Sequence, residues 1–202
     1  MIHSNVNIIQ NFMEHIKRTD SENFVKSMLF CFGAPTIKGL KAGCLINFRR
    51  DSLNEDLRKI WKKNADKWLR PLGLNWVLLN DKKGFKNALV LIYDRELLER
   101  ALCCDEACEI LANEGYPLKD VEGCLKCLKR KFCEGCPHEV GLFLSYTPYD
   151  VKCFMKNEKC ENHLECGYWK VYGNVKKARR TFRKYKRAEY DAARMILQGQ
   201  IK

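Results

Sequence analysis

The hydrophobic period of this chain switches four times, and that switching limits its fold more than any other feature. The first thirty or so residues place Ile8, Ile9, Phe12, Ile16, Phe24, Val25, Met28 and Leu29 near the helical repeat. Residues 44–48, 74–79 and 86–93 are instead short, apolar and β-prone. Asn80-Asp81-Lys82-Lys83-Gly84 reads as a hairpin loop joining the last two. Between the first two, Asp51-Ser52 offers an N-cap for a helix that carries Leu53, Leu57, Ile60, Trp61, Ala65 and Trp68 and stops at Pro71 and Gly73. From Arg95 the helical period returns, interrupted at Gly115-Tyr116-Pro117 and again at 145–148. Residues 160–173 read as a loop, and Asn174 caps a long final helix. A few strands enclosed by helices imply an α+β fold: a small antiparallel sheet with helices in the first half, then a cysteine-rich, mostly helical second half. No linker separates the halves, so the expectation is one compact domain over 1–202, divisible near residue 100.

Several classes are excluded early. Hydrophobic residues at 46% rule out wholesale disorder. The longest uninterrupted apolar run, Ala88–Tyr93, is far shorter than the roughly 18 residues a membrane span requires. Residues 1–20 lack the apolar core and small-residue cleavage site of a secretory signal, so the expected location is the cytoplasm.

Charge is unevenly placed. The net charge is +12, yet residues 170–187 hold nine basic side chains and no acid, which leaves +3 for the other 184 residues. On a helical wheel Val175, Ala178, Phe182, Tyr185 and Ala192 form an apolar stripe. Lys176, Lys177, Arg179, Arg180, Arg183, Lys184, Lys186 and Arg187 cover the opposite half of the cylinder. Lys176 and Lys177 occupy the first turn, where the helix dipole disfavours cations. Helix stability therefore does not account for them. Phosphate oxygens of a nucleic acid or another anionic partner would; a merely solvated face is the plain alternative.

Thiols are the second asymmetry: ten of the twelve cysteines lie between Cys103 and Cys166. In a reducing compartment such clustering reads as metal binding, redox chemistry or inert burial. Cys124-x2-Cys127-x5-Cys133-x2-Cys136, followed by Cys160-x2-His163-x2-Cys166, has spacings at which two sulfurs can reach one zinc or iron ion. Cys133 and Cys136 flank a turn-forming glycine and head the ligand set, with Cys124 and Cys127 or Cys160 and Cys166 completing four. The opposing reading makes these thiols small hydrophobes beside Leu125, Leu128 and Phe132.

Three further patterns bear on function. Within 139–155, Gly141, Ser145 and Val151 are spaced as in a helix-turn-helix, although the second helix offers only Tyr149, Asp150, Lys152, Lys156 and Asn157 for reading DNA. His138 and Glu139 open a helix near Cys136 and Cys166, a set from which a thiol enzyme could take nucleophile and base. Tyr168, Trp169 and Tyr172 beside Lys170 could stack on a planar ligand or anchor the core. No P-loop, dinucleotide fingerprint, nucleophile elbow or zinc-protease helix is present.

The stretch Pro137-His138-Glu139-Val140-Gly141-Leu142-Phe143-Leu144-Ser145-Tyr146, then Asp150-Val151-Lys152 and Cys166-Gly167-Tyr168-Trp169-Lys170-Val171-Tyr172-Gly173, resembles the hallmark of an uncharacterised family of clostridial anaerobes, known only as a domain of unknown function. Ala34-Pro35-Thr36 with Gly39-Leu40-Lys41 is a second point of likeness. This chain departs from the family pattern just before it, with Phe32 and Gly33 where a His-Cys pair is usual. The resemblance implies a role in iron or redox physiology and brings no activity. The leading expectation is a non-enzymatic, cytoplasmic accessory or regulatory protein binding zinc or iron through cysteines. A nucleic-acid binder using the last helix and the 139–155 hairpin is the alternative, and a thiol-dependent enzyme the second alternative.

Overall fold

The computed structural model describes residues 2–49, 56–80, 88–156 and 162–200, with side chains from residue 7 onward. Helices α1 (Ile2–Ile16), α2 (Ser21–Phe32) and the single turn α3 (Ala34–Ile37) lead into β1 (Gly43–Phe48). Then follow α4 (Leu57–Leu69), a 3-10 turn, β2 (Asn75–Leu78), β3 (Ala88–Tyr93), α5 (Arg95–Leu102), α6 (Asp105–Asn113) and α7 (Val121–Lys131). Last come α8 (Val140–Phe143), α9 (Pro148–Lys156), the two-residue strands β4 (Glu165–Cys166) and β5 (Lys170–Val171), and α10 (Val175–Leu197).

Carboxylates and one amide cap several of the helices. Asp20 Oδ1 accepts from Asn23 N at 2.9 Å, Asp56 Oδ1 from Arg58 N at 3.0 Å, Asp94 Oδ1 from Leu97 N at 2.9 Å, and Asn174 Oδ1 from Lys177 N at 2.9 Å. Each satisfies an N–H that the helix leaves without an internal acceptor. These bonds hold the Asp20 carboxyl below its ordinary pKa, and the Arg58 side chain does the same for Asp56. The cap expected at Asp51-Ser52 lies outside the described residues, and so does the hairpin loop over 81–84.

The sheet order is β1-β3-β2, all antiparallel, with Ile46 and Leu78 both opposite Val90. β3 is thus the central strand, which explains its unbroken apolar run: side chains on both faces are buried. Ala88, Val90 and Ile92 enter one core with Phe12, Leu29, Trp61 and Leu69 from α1, α2 and α4. Leu91 and Tyr93 enter a second core with Leu98, Leu111, Leu128 and Phe143 from α5 to α8. The sheet is a partition between two helical layers. Full burial of each such side chain stabilises the fold by about 1.5–3 kcal/mol.

The last helix returns to the first core. Ala193 and Ile196 of α10 pack with the α1–α2–α4 side, while Ala178, Phe182 and Tyr185 near its start pack on Trp169 and Val171 of the β4–β5 segment. That segment forms a short paired ladder, Glu165 opposite Val171 and Cys166 opposite Lys170, where the sequence reads as a loop. Two-residue strands leave no periodicity to detect.

Candidate functional site

The segments that carry the family-like motif converge in space. α8 and α9 form a tight hairpin because Gly141 has no side chain: a Cβ there would lie 2.8 Å from atoms of both Tyr146 and Val151. Ser145 takes a left-handed conformation (φ 60°) in the turn, and its Oγ accepts from Ala42 N at 2.7 Å, which ties the hairpin to the approach to β1. Thr147 Oγ1 accepts from Asp150 N at 3.1 Å at the start of α9.

Asp150 is the hub of this region and is only 3% exposed. Its Oδ1 accepts from the backbone N–H groups of Tyr172 (2.7 Å) and Gly173 (2.9 Å), and its Oδ2 accepts from Trp169 Nε1 (2.8 Å). A buried carboxylate with three donors is well compensated, so it can pin β5 and its flanks to α9. The Trp169 ring is then held on two sides, stacked on Tyr146 at 4.8 Å and edge-on to Phe182 at 4.5 Å. Gly167 sits so close to Phe182 that a Cβ would lie 2.2 Å from its ring. Sequence reading placed Asp150 among DNA-facing groups; its burial depends on contacts with residues about twenty positions away, which no local pattern announces.

Between this hairpin and β4–β5 lies a cleft of about 450 Å³. Leu45, Val140, Leu144 and Val151 contribute apolar wall, and Tyr146, Phe154, Tyr168 and Trp169 contribute rings. His138, Cys136 and Cys166 stand exposed on its edge, and Lys170 is half-buried within it. His138 meets the Phe154 ring edge-to-face at 5.0 Å, and Lys170 Nζ is 5.9 Å from the same ring centroid.

Adjacent His138 and Glu139 are held in different surroundings. Glu139 is 2% exposed; its Oε1 accepts from Tyr116 Oη and Lys131 Nζ, each at 2.9 Å. Lys131 also reaches Glu114 at 2.9 Å and lies 5.1 Å from the Tyr116 ring centroid. Burial would lower the Lys131 pKa, but the Glu139 and Glu114 hydrogen bonds outweigh it and raise it. Burial, with Glu139 alongside, pushes the Tyr116 hydroxyl well above its usual value. Glu139 is thereby committed to a structural network that braces α7.

The structure disperses the candidate thiols. Cys124 and Cys127 are buried on α7, their Sγ atoms donating to the carbonyls of Pro117 (3.3 Å) and Gly115 (3.8 Å). Burial pushes the Cys124 thiol up to about 11. Cys133 is exposed beyond the helix end, its Sγ 3.7 Å from Lys129 O. Cys136 and Cys166 share the cleft, and partial loss of water against the cleft wall, followed by the nearby Glu139, raises the pKa of the otherwise exposed Cys136. Cys160 lies outside the described residues. Among the described residues, no three His, Cys, Asp or Glu side chains are grouped to hold a metal ion such as zinc or iron.

The cationic helix is as its wheel suggests. Lys176, Lys177, Arg179, Arg180, Arg183, Lys184, Lys186 and Arg187 are all exposed, and Ala178, Phe182, Tyr185 and Ala188 between them are buried. Arg179 pairs with Glu165 at 2.6 Å. The other seven have no carboxylate within ion-pair distance among the described residues. The 139–155 hairpin adds little to this face: Lys152 is already paired with Glu109 at 2.8 Å, and Asp150 is buried.

No helix among the described residues is long and apolar enough to cross a membrane. No curated protein and no solved structure matches the chain. The model of one family, described as protein of unknown function (DUF3793), matches residues 29–202, which takes in β1–β3, the α8–α9 hairpin, the β4–β5 segment and α10. The chain belongs to this DUF3793 family of proteins of unknown function.

Proposed function

We propose that this protein is a non-enzymatic nucleic-acid binder of the cytoplasm that grips the phosphodiester backbone with α10. One observation carries the reading: seven exposed cations on one half of a single helix have no carboxylate within ion-pair distance among the described residues. The cations run from Lys176 to Arg187, about 17 Å along the helix axis, long enough to meet several backbone phosphates. The apolar half of α10 is already used by the core, so the cationic half is displayed rigidly. Lys176 and Lys177 at its first turn oppose the helix dipole, and bound phosphate reverses that penalty. Base-reading groups are sparse, so contact is to backbone and shape with little sequence preference. A cysteine-held zinc or iron has weaker support, because the thiols of α7 are buried against carbonyls and no three His, Cys, Asp or Glu side chains are grouped to hold an ion among the described residues.

Fluorescence anisotropy with labelled 20-mer RNA and DNA, single- and double-stranded, tests the proposal across a salt series. Engagement of about five phosphates predicts a log–log salt slope of about −4 to −5 on duplex DNA. The combined replacement of Arg180, Arg183, Lys184 and Arg187 by Gln should flatten that slope by about one for each cation that contacts phosphate. Affinity that does not change with salt, or a variant that binds like the parent, would overturn it.

A further inference from the structure

We infer that the cleft between the α8–α9 hairpin and the β4–β5 segment binds a small planar aromatic anion. Its volume of about 450 Å³ suits a metabolite-sized ligand. The walls are apolar and aromatic, which favours a flat ring over a sugar or a polyol.

Lys170 supplies the demand for charge. It is half-buried in the cleft with its ammonium 5.9 Å from the Phe154 ring centroid, and among the described residues no carboxylate pairs with it. The two buried carboxylates beside this site are matched: Asp150 by three donors, and Glu139 by Lys131 and Tyr116. A cation removed partly from water beside an apolar wall gains most from an anion delivered by the ligand. His138, at the edge of Phe154, adds a second nitrogen donor at the mouth.

The cleft is also formed in advance. Trp169 is fixed by Asp150, Tyr146 and Phe182, and Gly141 and Gly167 allow the close packing that sets the two walls. Little ordering remains to oppose binding.

Three probes separate the components of the proposal: 2-naphthalenesulfonate (ring and anion), 2-naphthalenemethanol (ring alone) and cyclohexanesulfonate (anion alone). Titration calorimetry on the full chain should show the first binding at least about tenfold more tightly than either of the others. Lys170→Gln should weaken it about tenfold or more while leaving the thermal midpoint unchanged, and Lys170→Arg should recover most of the loss. Phe154→Leu should weaken all ring-bearing probes. Equal binding of the sulfonate and the alcohol, an unaffected Lys170→Gln variant, or no saturation by about 10 mM would overturn the inference. Loss of sulfonate binding in the α10 variant defined above, with Lys170 intact, would overturn it too, by assigning the effect to the cationic helix. Failure of nucleic-acid binding leaves this test unaffected.

Discussion

Replacing Asp150 with Asn probes the hub that builds the cleft, and its cost follows from three distances. The carboxylate accepts at 2.7, 2.8 and 2.9 Å from Tyr172 N, Trp169 Nε1 and Gly173 N, inside a site that is 3% exposed. Asn has nearly the same shape but one acceptor oxygen and one amide nitrogen. If its oxygen keeps the two backbone N–H groups, its NH2 faces the indole N–H and strands that donor. Hydrogen bonds to a charged group stabilise by about 1.5–3 kcal/mol against about 0.5–1.5 for neutral ones, and a stranded buried donor costs about 1–3. The sum is about 3–6 kcal/mol. For a chain of this length each kcal/mol moves the thermal midpoint by about 2–4 °C, so Asp150→Asn should lower it by about 6 °C at the least and by about 24 °C at the most. Circular dichroism melts at neutral pH measure this, with Trp fluorescence reporting the altered Trp169 environment. A decrease under about 2 °C would show that the three bonds are not the strut described here.

Other consequences are equally open to measurement. Gly141→Ala places a methyl group 2.8 Å from Tyr146 and Val151, and should destabilise by about 1–3 kcal/mol in urea titrations; an unchanged midpoint would mean that the hairpin relaxes freely. Alkylation at pH 8 should label exposed Cys103, Cys104, Cys133 and Cys166 well before Cys31, whose thiol burial pushes up to about 12, and before Cys124, at about 11; early modification of either buried thiol by mass spectrometry would refute this order. Burial raises the Glu189 carboxyl pKa, with the Tyr168 hydroxyl (2.8 Å) and Lys41 opposing. The folded state therefore holds the Glu189 proton more tightly than the unfolded chain. This contribution to stability is present below the ordinary value of about 4.3 and is lost as pH rises through the folded pKa, a dependence that Glu189→Gln should remove from urea midpoints taken from pH 4 to 8. Burial lowers the Lys41 pKa, so its contribution has the opposite sense, with stability rising as pH climbs toward the unfolded value of about 10.4.

Much of this architecture was legible locally. The apolar runs at 74–79 and 86–93 pair as β2 and β3, the alternation of cations with Ala178, Phe182 and Tyr185 gives α10 its two faces, and Asn174 caps it. Periods, caps and turn residues act over one or two helical turns or across a short loop, so the sequence carries them directly. Cys124 and Cys127 show the limit. Their spacing suits a metal as well as it suits a buried helix face, and the deciding contacts are the carbonyls of Pro117 and Gly115 on the preceding connection.

By itself, then, the sequence determined most of the helices and the three strands of the larger sheet, where α10 begins, and that its outer face is cationic. Tertiary structure alone decided that β3 lies between β1 and β2, that α10 returns to the first core through Ala193 and Ile196, that Glu139 is spent on Lys131 and Tyr116, and that Asp150 faces inward to hold Trp169 beside a cleft containing Lys170. The reason is physical: a residue's hydrophobic period is set by its neighbours along the chain, whereas its burial and its partners depend on which distant surfaces close over it.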